Sequence, residues 1–280
     1  MPEGDSIRRA AERVGSALLD RPLTEVQVPN PRAAHLRSAE RLLAGRRLTS
    51  TEPVGKYLTL HFGDDLAIRS HLRMNGRWHV YPRGSAWRRS PTGAWLILGT
   101  DQMQVVQFGG PVLELVRGGH ARRDRRVGAL GPDILDREFD RARAIRGLRS
   151  RGPERTLGDA LLDQRAVAGI GNLFKSEGCF AARVSPWVPI GGLDDEALGH
   201  VLARIRALIR RGAGITGRAP RRIYRRARKP CPTCGGLVRS RGQGDDNRTT
   251  YWCETCQPGP APPRHPTRPA SAGPYPVADG

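Results

Sequence analysis

Two short stretches near the carboxyl end, Cys231-Pro232-Thr233-Cys234 and Cys253-Glu254-Thr255-Cys256, decide how the last part of the chain folds. Each is a Cys-x-x-Cys knuckle, and the 18 residues between them suit a β-hairpin. Four thiolates at this spacing are typical of a closed tetrahedral zinc site, which leaves no coordination position open for catalysis. The alternatives are a redox pair and a chance coincidence of two motifs. We expect one structural Zn2+ bound by Cys231, Cys234, Cys253 and Cys256.

The segment between the knuckles carries three arginines, Arg239, Arg241 and Arg248. A zinc hairpin of this size has little core of its own and depends on the metal to fold. Arginine binds phosphate through a planar, permanently charged fork. The finger is therefore predicted to contact DNA or RNA, and a solvated charged loop is the alternative. The remaining cysteine, Cys179, is expected to be a small buried apolar residue.

The charge of the whole chain also favours a polyanionic partner. Lys and Arg total 47 against 27 Asp and Glu in 280 residues, a formal net charge of +20. Nucleic acid or an anionic membrane surface is the natural partner of such a protein. No apolar run of about 18 residues occurs, so no membrane span is predicted, and the polar, charged start is unlike a secretion signal. We expect a cytoplasmic, nucleoid-associated protein.

Upstream of the finger, residues 131–222 are predicted to be helical. Thr156 opens a capping-box pattern for a short helix through Gln164. The clearest helix begins at Asp194-Asp195-Glu196 and stops at Gly212. Its apolar stripe consists of Leu198, Val201, Leu202, Ile205, Leu208 and Ile209.

A glycine-punctuated turn at residues 166–172 lies between these helices. Asn172 is predicted to cap a further helix through about Ala181. Such a turn lets backbone N–H groups and the Asn172 side chain approach a phosphate at a helix start. A packing elbow between two helices would show the same pattern.

Residues 23–116 alternate apolar and polar side chains with period two, as Leu58, Leu60 and Phe62 illustrate. Many short strands broken by Gly, Pro and Asp are typical of a β-sandwich or barrel. Residues 83–91 and 118–126 are polar, arginine-rich loops.

Lysine is rare in this chain. Lys56, Lys175 and Lys229 are the only lysines, and the basic residues are otherwise almost all arginine. A GC-rich genome partly explains this bias towards arginine. A lysine can lose its proton when it is buried, whereas an arginine cannot. Lys56 enters a predicted strand and is a candidate for proton transfer; a surface lysine is the alternative.

The chain begins Met1-Pro2-Glu3-Gly4-Asp5, and Met1 is expected to be removed because Pro2 is small. Pro2 would then present a secondary α-amine, which titrates near ~8 and can attack an aldehyde carbon to form an iminium. Glu3 could transfer a proton beside it. Asp5 is predicted to cap a helix over residues 6–19 whose positive end lowers the pKa of the Pro2 amine. The alternative is a frayed end. The apolar face of this helix consists of Ile7, Ala10, Ala11, Val14, Ala17 and Leu18.

These features follow one another in a recognisable order. Pro2-Glu3-Gly4, Gly55-Lys56-Tyr57, residues 162–172 and Tyr251-Trp252-Cys253 together resemble the formamidopyrimidine-DNA glycosylase/endonuclease VIII family of base-excision repair enzymes, over about residues 2–257. The opening Met-Pro-Glu-Gly-Asp and the Tyr-Trp-Cys of the finger are similar to the endonuclease VIII branch, in particular to actinobacterial Nei-like proteins.

The resemblance implies four catalytic roles. Pro2 would attack C1′ of a damaged nucleoside, release the base and form the iminium, with Glu3 as proton donor at the sugar. Lys56 would be the donor for β-elimination. Arg248 would bind phosphate and assist δ-elimination.

The resemblance also implies a DNA-binding surface. Asn172 would bind the phosphate beside the lesion, and residues 70–76 would form the loop that fills the gap left by a flipped base. Met74 would be its apolar wedge and Arg73 a DNA contact. Both roles agree with the need to take the base out of the stack before its glycosidic bond can be reached.

Two positions depart from the family pattern. Asp5-Ser6 stands where many endonuclease VIII sequences have Pro-Glu, so a carboxylate of the base pocket is missing. Gln107 precedes Phe108 where the formamidopyrimidine branch has an arginine. The second departure argues against a preference for oxidised purines.

We therefore predict an α+β protein: a catalytic domain over residues 1–130 with an N-terminal helix and a β-sandwich, a helix-two-turn-helix domain over 131–222, a zinc finger over 223–257 and a disordered tail over 258–280. Its predicted function is that of a monomeric DNA glycosylase and AP lyase. The substrate would be double-stranded or partly single-stranded DNA with oxidised bases, pyrimidines in particular, and the strand would be nicked by β,δ-elimination. The alternatives are a non-enzymatic zinc-finger protein that binds or senses damaged DNA, and an RNA-binding module.

Overall fold

The computed structural model describes residues 3–110, 112–117, 125–214, 221–260 and 262. Pro2, most of the predicted loop at 118–126 and nearly all of the predicted tail lie outside the described residues. Within the described part, no helix is both long enough and apolar enough to cross a bilayer. The α-helices are α1 Gly4–Leu18, α2 Ser38–Leu43, α3 Arg125–Gly128, α4 Arg141–Arg149, α5 Leu157–Ala160, α6 Asn172–Ala182 and α7 Asp195–Ala213, and 3-10 turns are Pro31–Leu36, Pro91–Gly93 and Ile190–Gly192.

Two four-stranded antiparallel sheets form the predicted β-sandwich. The first sheet has the order β2-β3-β4-β8 and the second the order β1-β6-β7-β5. Both sheets and α1 contribute to one hydrophobic core. The strands are β1 Glu25–Gln27, β2 Ser50–Val54, β3 Tyr57–His61, β4 Leu66–His71, β5 Arg77–Pro82, β6 Ala94–Gly99, β7 Met103–Phe108 and β8 Val112–Arg117.

Helix α1 buries all six predicted apolar residues, but its start differs from the prediction. Glu3, and not Asp5, is the N-cap residue, and its side chain forms no cap bond because it points to another helix. Asp5 lies in the first turn and forms an ion pair with Arg9 at 3.1 Å. The predicted cap at Asp5 is therefore wrong.

A second core is formed by α4, α5, α6 and α7. Helix α7 begins where predicted, and Asp194 caps it, since its Oδ1 accepts from the Ala197 N–H at 2.7 Å. Gly212 is buried inside α7, which continues to Ala213, so the predicted stop is one residue early.

The prediction of a capping box at Thr156 is wrong. Helix α5 is only one turn long, and Thr156 forms no side-chain cap bond although it occupies the N-cap position. Its Oγ1 instead accepts from Gln243 Nε2 at 2.8 Å. A tertiary partner has replaced the local one, and the chain leaves the helix well before Gln164.

Residues 238–253 form the predicted hairpin of the finger. Strand β9, Val238–Gln243, pairs antiparallel with β10, Arg248–Cys253, with Arg248 opposite Gln243. Strand β10 packs against α6. The finger therefore meets the rest of the protein at the helix that follows the glycine-rich turn.

Candidate active site

The Glu3 carboxylate lies on the N-terminus of α6. It accepts three backbone hydrogen bonds, from Gly171 at 3.1 Å, Leu173 at 2.8 Å and Phe174 at 3.2 Å. A Cβ on residue 171 would lie 2.3 Å from Glu3 Cδ, so only glycine fits there. A helix N-terminus stabilises an anion, and this one holds the side chain in one place.

Burial nevertheless raises the pKa of Glu3, while the Lys56 charge and the backbone N–H groups of Leu173 and Phe174 act in the opposite direction. Glu3 is only 2% exposed. Its carboxyl therefore retains a proton at a higher pH than an ordinary glutamate does. This is the property that a proton donor needs.

The glycine-rich turn also touches the start of α1. The Gly4 N–H donates to the Gly169 carbonyl at 3.0 Å, and a Cβ on Gly4 would lie 3.1 Å from that oxygen. Gly169 has a φ of +92°, a conformation that favours glycine. Gln164 fixes the turn, since its Oε1 accepts from the Gly169 N–H and its Nε2 donates to the Ile170 carbonyl. Pro2, the predicted nucleophile, precedes Glu3 in sequence and lies outside the described residues.

Lys56 follows Gly55 in the turn between β2 and β3. The pKa of Lys56 is lowered to about 8: burial is the largest cause, the Glu3 charge opposes it and the Arg248 charge adds to it. The turn is held by Asp133, whose Oδ2 accepts from the Gly55 N–H at 2.7 Å. A surface lysine, the alternative considered from sequence, does not fit these surroundings.

Asn172 is the first residue of α6, and the predicted cap is again wrong. Gly171 occupies the N-cap position, and no side chain caps the helix there. Asn172 Nδ2 donates instead to the Thr249 carbonyl of β10 at 2.7 Å. Its Oδ1 is buried and has no hydrogen-bond partner among the described residues. Asn172 therefore joins the finger to the helix that holds Glu3.

Arg248 is the first residue of β10, and its guanidinium pairs with Asp246 at 2.9 Å. Its charge lowers the pKa of both Lys56 and Lys175, which places it near the two amines. Arg239 pairs with Glu254 at 3.2 Å. The charge of Arg248 therefore acts on Lys56, the partner of Glu3 in this site.

Lys175 was missed from the sequence, although the scarcity of lysine could have signalled it. It is fully buried on α6, and its Nζ donates to Thr250 Oγ1 at 2.5 Å. Thr250 Oγ1 in turn donates to Gln243 Oε1 at 2.6 Å. Burial lowers the pKa of Lys175 to about 8. Asp133 was missed as well, and no local pattern marks it because its partner Gly55 lies 78 residues away.

The loop between β4 and β5 presents Met74 to solvent, 57% exposed. The Gly76 N–H closes the loop on the Leu72 carbonyl at 2.8 Å, and Arg73 is exposed with a φ of +48°. At its base, burial and the charges of Arg73 and Lys56 lower the pKa of His71 to about 4. The Lys56 charge therefore reaches the loop that carries Met74.

Gln107 and Phe108, at the end of β7, are both buried. Gln107 Nε2 donates to the Phe108 carbonyl at 3.4 Å, and its Oε1 has no partner among the described residues. Asp5 is buried in α1 and forms an ion pair with Arg9.

The sulfur atoms of Cys231, Cys234, Cys253 and Cys256 all lie within 4.8 Å of one another. Two Sγ pairs, Cys231–Cys256 and Cys234–Cys253, are 3.8 and 3.5 Å apart. A tetrahedral zinc–thiolate site has sulfur–sulfur edges of about 3.8 Å, so the cluster fits such an ion. Cys179 is buried elsewhere, and burial raises its pKa to about 12.

Comparison with known proteins gives consistent matches. Residues 1–110 match the formamidopyrimidine-DNA glycosylase N-terminal domain and residues 130–220 match the formamidopyrimidine-DNA glycosylase H2TH domain. The chain is 41% identical to a probable endonuclease 8 2 of Streptomyces coelicolor, over 94% of this chain and 96% of that protein. It is 32% identical to the DNA-(apurinic or apyrimidinic site) lyase Nei2 of Mycolicibacterium smegmatis, over 92% and 99%.

Solved structures show the same fold. A Lactococcus lactis formamidopyrimidine-DNA glycosylase, non-covalently bound to DNA with an AP site, superposes with a TM-score of 0.80 at 19% identity, over 92% of this chain and 100% of that one. A complex of the wild-type Lactococcus lactis protein with oxidised-pyrimidine DNA gives 0.79 at the same identity and coverage.

Proposed function

The chain belongs to the formamidopyrimidine-DNA glycosylase/endonuclease VIII family, and from this premise we propose that it is a DNA glycosylase with AP lyase activity in base excision repair. The observation that carries the proposal is the Glu3 carboxylate on the N-terminus of α6, with the Lys56 amine close enough to shift its pKa. A protein that only binds DNA needs neither a proton donor beside the chain's first residues nor a buried amine near it.

In the proposed reaction the unprotonated Pro2 amine attacks C1′ of the damaged nucleoside. The C1′–N glycosidic bond breaks, and the base leaves with the proton that the Pro2 nitrogen loses. Glu3 then donates a proton to the ring oxygen O4′ as the C1′–O4′ bond breaks, which opens the sugar and leaves the iminium between Pro2 and C1′. A proton is then removed from C2′ and the C3′–O bond breaks. Lys56 is the proton donor for this β-elimination, and a pKa of about 8 keeps much of it protonated at neutral pH.

Arg248, Asn172, Arg73 and Met74 are proposed to hold the DNA. Arg248 and Asn172 lie where the finger meets α6 and would bind phosphates beside the lesion. The exposed Met74 would fill the space of the flipped base, with Arg73 at its side. We propose that Arg248 also assists δ-elimination.

The four-cysteine cluster is proposed to bind one structural zinc ion. Zinc would supply folding energy to the hairpin and no chemistry, because four protein ligands leave no open position. One zinc per chain in the purified protein is the expected result of elemental analysis.

Oxidised pyrimidines are the proposed substrate class. The support is the likeness to endonuclease 8 proteins and the burial of Gln107 where the formamidopyrimidine branch has an arginine. We propose that a monomer acts on duplex or partly single-stranded DNA. Excision rates on a panel of lesions would rank the substrates.

Borohydride reduction on DNA with an abasic site tests the proposal. The iminium should be trapped as a covalent adduct in the wild-type protein and be absent in Pro2→Gly. The matched control is a chain with one extra residue before Pro2, which keeps every side chain but moves the amine. It should bind the DNA and form no adduct.

Binding without any adduct in the wild-type protein would overturn the enzymatic function in favour of a damage-binding protein. Equal affinity for RNA and for undamaged or abasic DNA would favour an RNA-binding module.

A further inference from the structure

The sheet formed by β1, β6, β7 and β5 has a second, smaller core on the face away from the main one. Tyr81, Ala94, Ile97, Val106 and Phe108 are buried there. An antiparallel sheet commonly leaves its outer face to solvent. Here the loop at residues 83–93 covers it, and Trp87 packs against this cluster.

Aromatic contacts fix that loop. Trp87 stacks on Tyr81 with 6.1 Å between ring centroids and meets the Phe108 ring edge-on at 5.8 Å. Its Nε1 donates to Gln104 Oε1 at 3.3 Å. The Arg88 N–H donates to the Tyr81 hydroxyl at 3.3 Å. The two arginines that follow Trp87 are therefore presented from an anchored segment.

Arg88 and Arg89 are both exposed. Arg89 lies over the Phe108 ring at 5.7 Å. Within the residues that the structure describes, neither has an acidic partner within salt-bridge distance, whereas Arg83 of the same loop pairs with Glu25 at 3.4 Å. Burial is the largest cause that lowers the pKa of His79, and four positive charges add to it, those of Arg89, Arg13, Arg77 and Arg88. Among the described residues, positive charge is thus concentrated at this end of the sheet.

This patch adjoins the loop that carries Met74. Arg77 begins β5 directly after Gly76, and in the ladder it pairs with Phe108. A Cβ on Gly109 would lie 3.7 Å from the Asn75 carbonyl oxygen. We call Arg77, Arg88 and Arg89 the arginine platform.

The path of the chain indicates which DNA strand the platform meets. Residues 72–76 cross from β4, in the sheet whose β2–β3 turn holds Lys56, to β5 in the other sheet. A wedge at this crossing would leave the extruded nucleotide on the Lys56 side and the unpaired base on the platform side. With the wedge in that place, the strand opposite the lesion would run past the platform.

We propose that the arginine platform binds phosphates of the strand opposite the lesion, through Arg88 and Arg89 held by Trp87. This inference rests on the proposed function for the identity of the ligand as DNA. It adds a contact surface beyond the site that holds the damaged nucleotide.

The test measures binding to a duplex with an uncleavable tetrahydrofuran abasic analogue, between 50 and 200 mM salt. Arg88→Ala/Arg89→Ala should lower the slope of log affinity against log salt by about 1.8, at ~0.9 per phosphate contact. Over this range the wild-type protein would then lose about twelvefold more affinity than the variant. The borohydride trapping rate at saturating DNA should stay within about twofold, as expected for groups that only bind.

Arg204→Ala/Arg210→Ala is the matched control, because it removes the same charge from the exposed face of α7. It should leave the slope nearly unchanged. An equal loss in the control, or an unchanged slope in Arg88→Ala/Arg89→Ala, would overturn the proposal. A normal slope change in a protein that forms no adduct would instead reject the enzymatic function and retain the platform.

Phosphate ethylation interference identifies the strand. Ethylation of certain phosphates on the strand opposite the lesion should block binding of the wild-type protein. Ethylation of the same phosphates should not affect binding of Arg88→Ala/Arg89→Ala. Loss of interference on the lesion strand alone would contradict the assignment. Trp87→Ala should also weaken binding although it removes no charge, and Trp87→Phe should restore it; unchanged binding in Trp87→Ala would exclude an anchored platform.

Discussion

Lys56 and Lys175 have the same lowered pKa of about 8 but different surroundings, because Lys175 is fully buried and Lys56 only partly so. Burial is the largest cause of the lowered pKa in both lysines, and the charges of Glu3 and Arg248 act on both. Lys175 is wholly enclosed, and its ammonium donates to Thr250 and Gln243 at the joint between α6 and the finger. Lys56 lies in a turn and is partly accessible, and Glu3 is the charged group with the largest effect on its pKa.

The comparison shows that a depressed pKa reports burial and does not assign a role. Perturbed groups concentrate at active sites, but structural networks perturb them as well. Access to a substrate separates the two lysines here. We therefore expect Lys56 to serve the reaction and Lys175 to hold the finger on α6.

The largest expected effect is that of Lys56→Met on strand cleavage. Single-turnover nicking of abasic DNA should fall by about 10²–10⁴-fold, the usual contribution of a positioned proton donor, while affinity for the tetrahydrofuran duplex stays within about threefold. Because the donor must be protonated, wild-type nicking should decline as pH rises through about 8. Lys175→Met is the matched control and should lose less than tenfold. Similar losses in the two variants would remove the functional distinction.

The next effect is on stability, where the two lysines should behave alike. The pKa of Lys175 is about 8 in the folded state against the ordinary 10.5 when unfolded. Between these values the unfolded state binds more protons, so the free energy of unfolding rises with pH. From pH 7 to 11 it should rise by about 3 kcal/mol more in the wild-type protein than in Lys175→Met.

Chemical denaturation at several pH values measures this difference, and Lys56→Met should show a similar one. Parallel pH curves for wild type and Lys175→Met would mean that Lys175 is not buried as an ammonium. The stability data and the nicking data together separate burial from function.

The smallest effect is that of Arg248→Ala, which acts on both lysines. The salt slope of DNA binding should fall by about 0.9, the value of one phosphate contact. Loss of the guanidinium also removes a charge that lowers both amine pKa values. The alkaline decline of residual nicking should therefore move to higher pH. A decline that stays in place would show that Arg248 does not act on Lys56, and Arg239→Ala provides the control with the same charge change.

The elements with a local pattern could be predicted from sequence. The cysteine knuckles place the finger, the apolar stripes give α1 and α7, and the alternation of residues 23–116 gives the sandwich. The resemblance brought Glu3, Lys56 and Asn172 into one site, although the structure shows how Glu3 and Asn172 are held. Such information is contained in short stretches of the chain.

The caps predicted at Thr156 and Asn172 are wrong because each of these side chains has a distant partner. Thr156 binds Gln243 of β9, Asn172 binds the backbone of β10, and Glu3 binds the start of α6. Capping rules describe residues three or four apart. A carboxylate that satisfies N–H groups 170 residues away leaves no periodic signal. The same holds for Lys175 and Asp133, whose partners are set by the packing of separate elements.

The Glu3 contacts also bear on the order of synthesis. Its three N–H donors belong to residues 171–174, so more than half of the chain must emerge from the ribosome before Glu3 can bind them. A nascent or prematurely terminated chain would carry Pro2 and Glu3 without the helix start that holds the Glu3 carboxylate. Translation itself therefore delays completion of the proposed site until the helical region that holds Glu3 has been made.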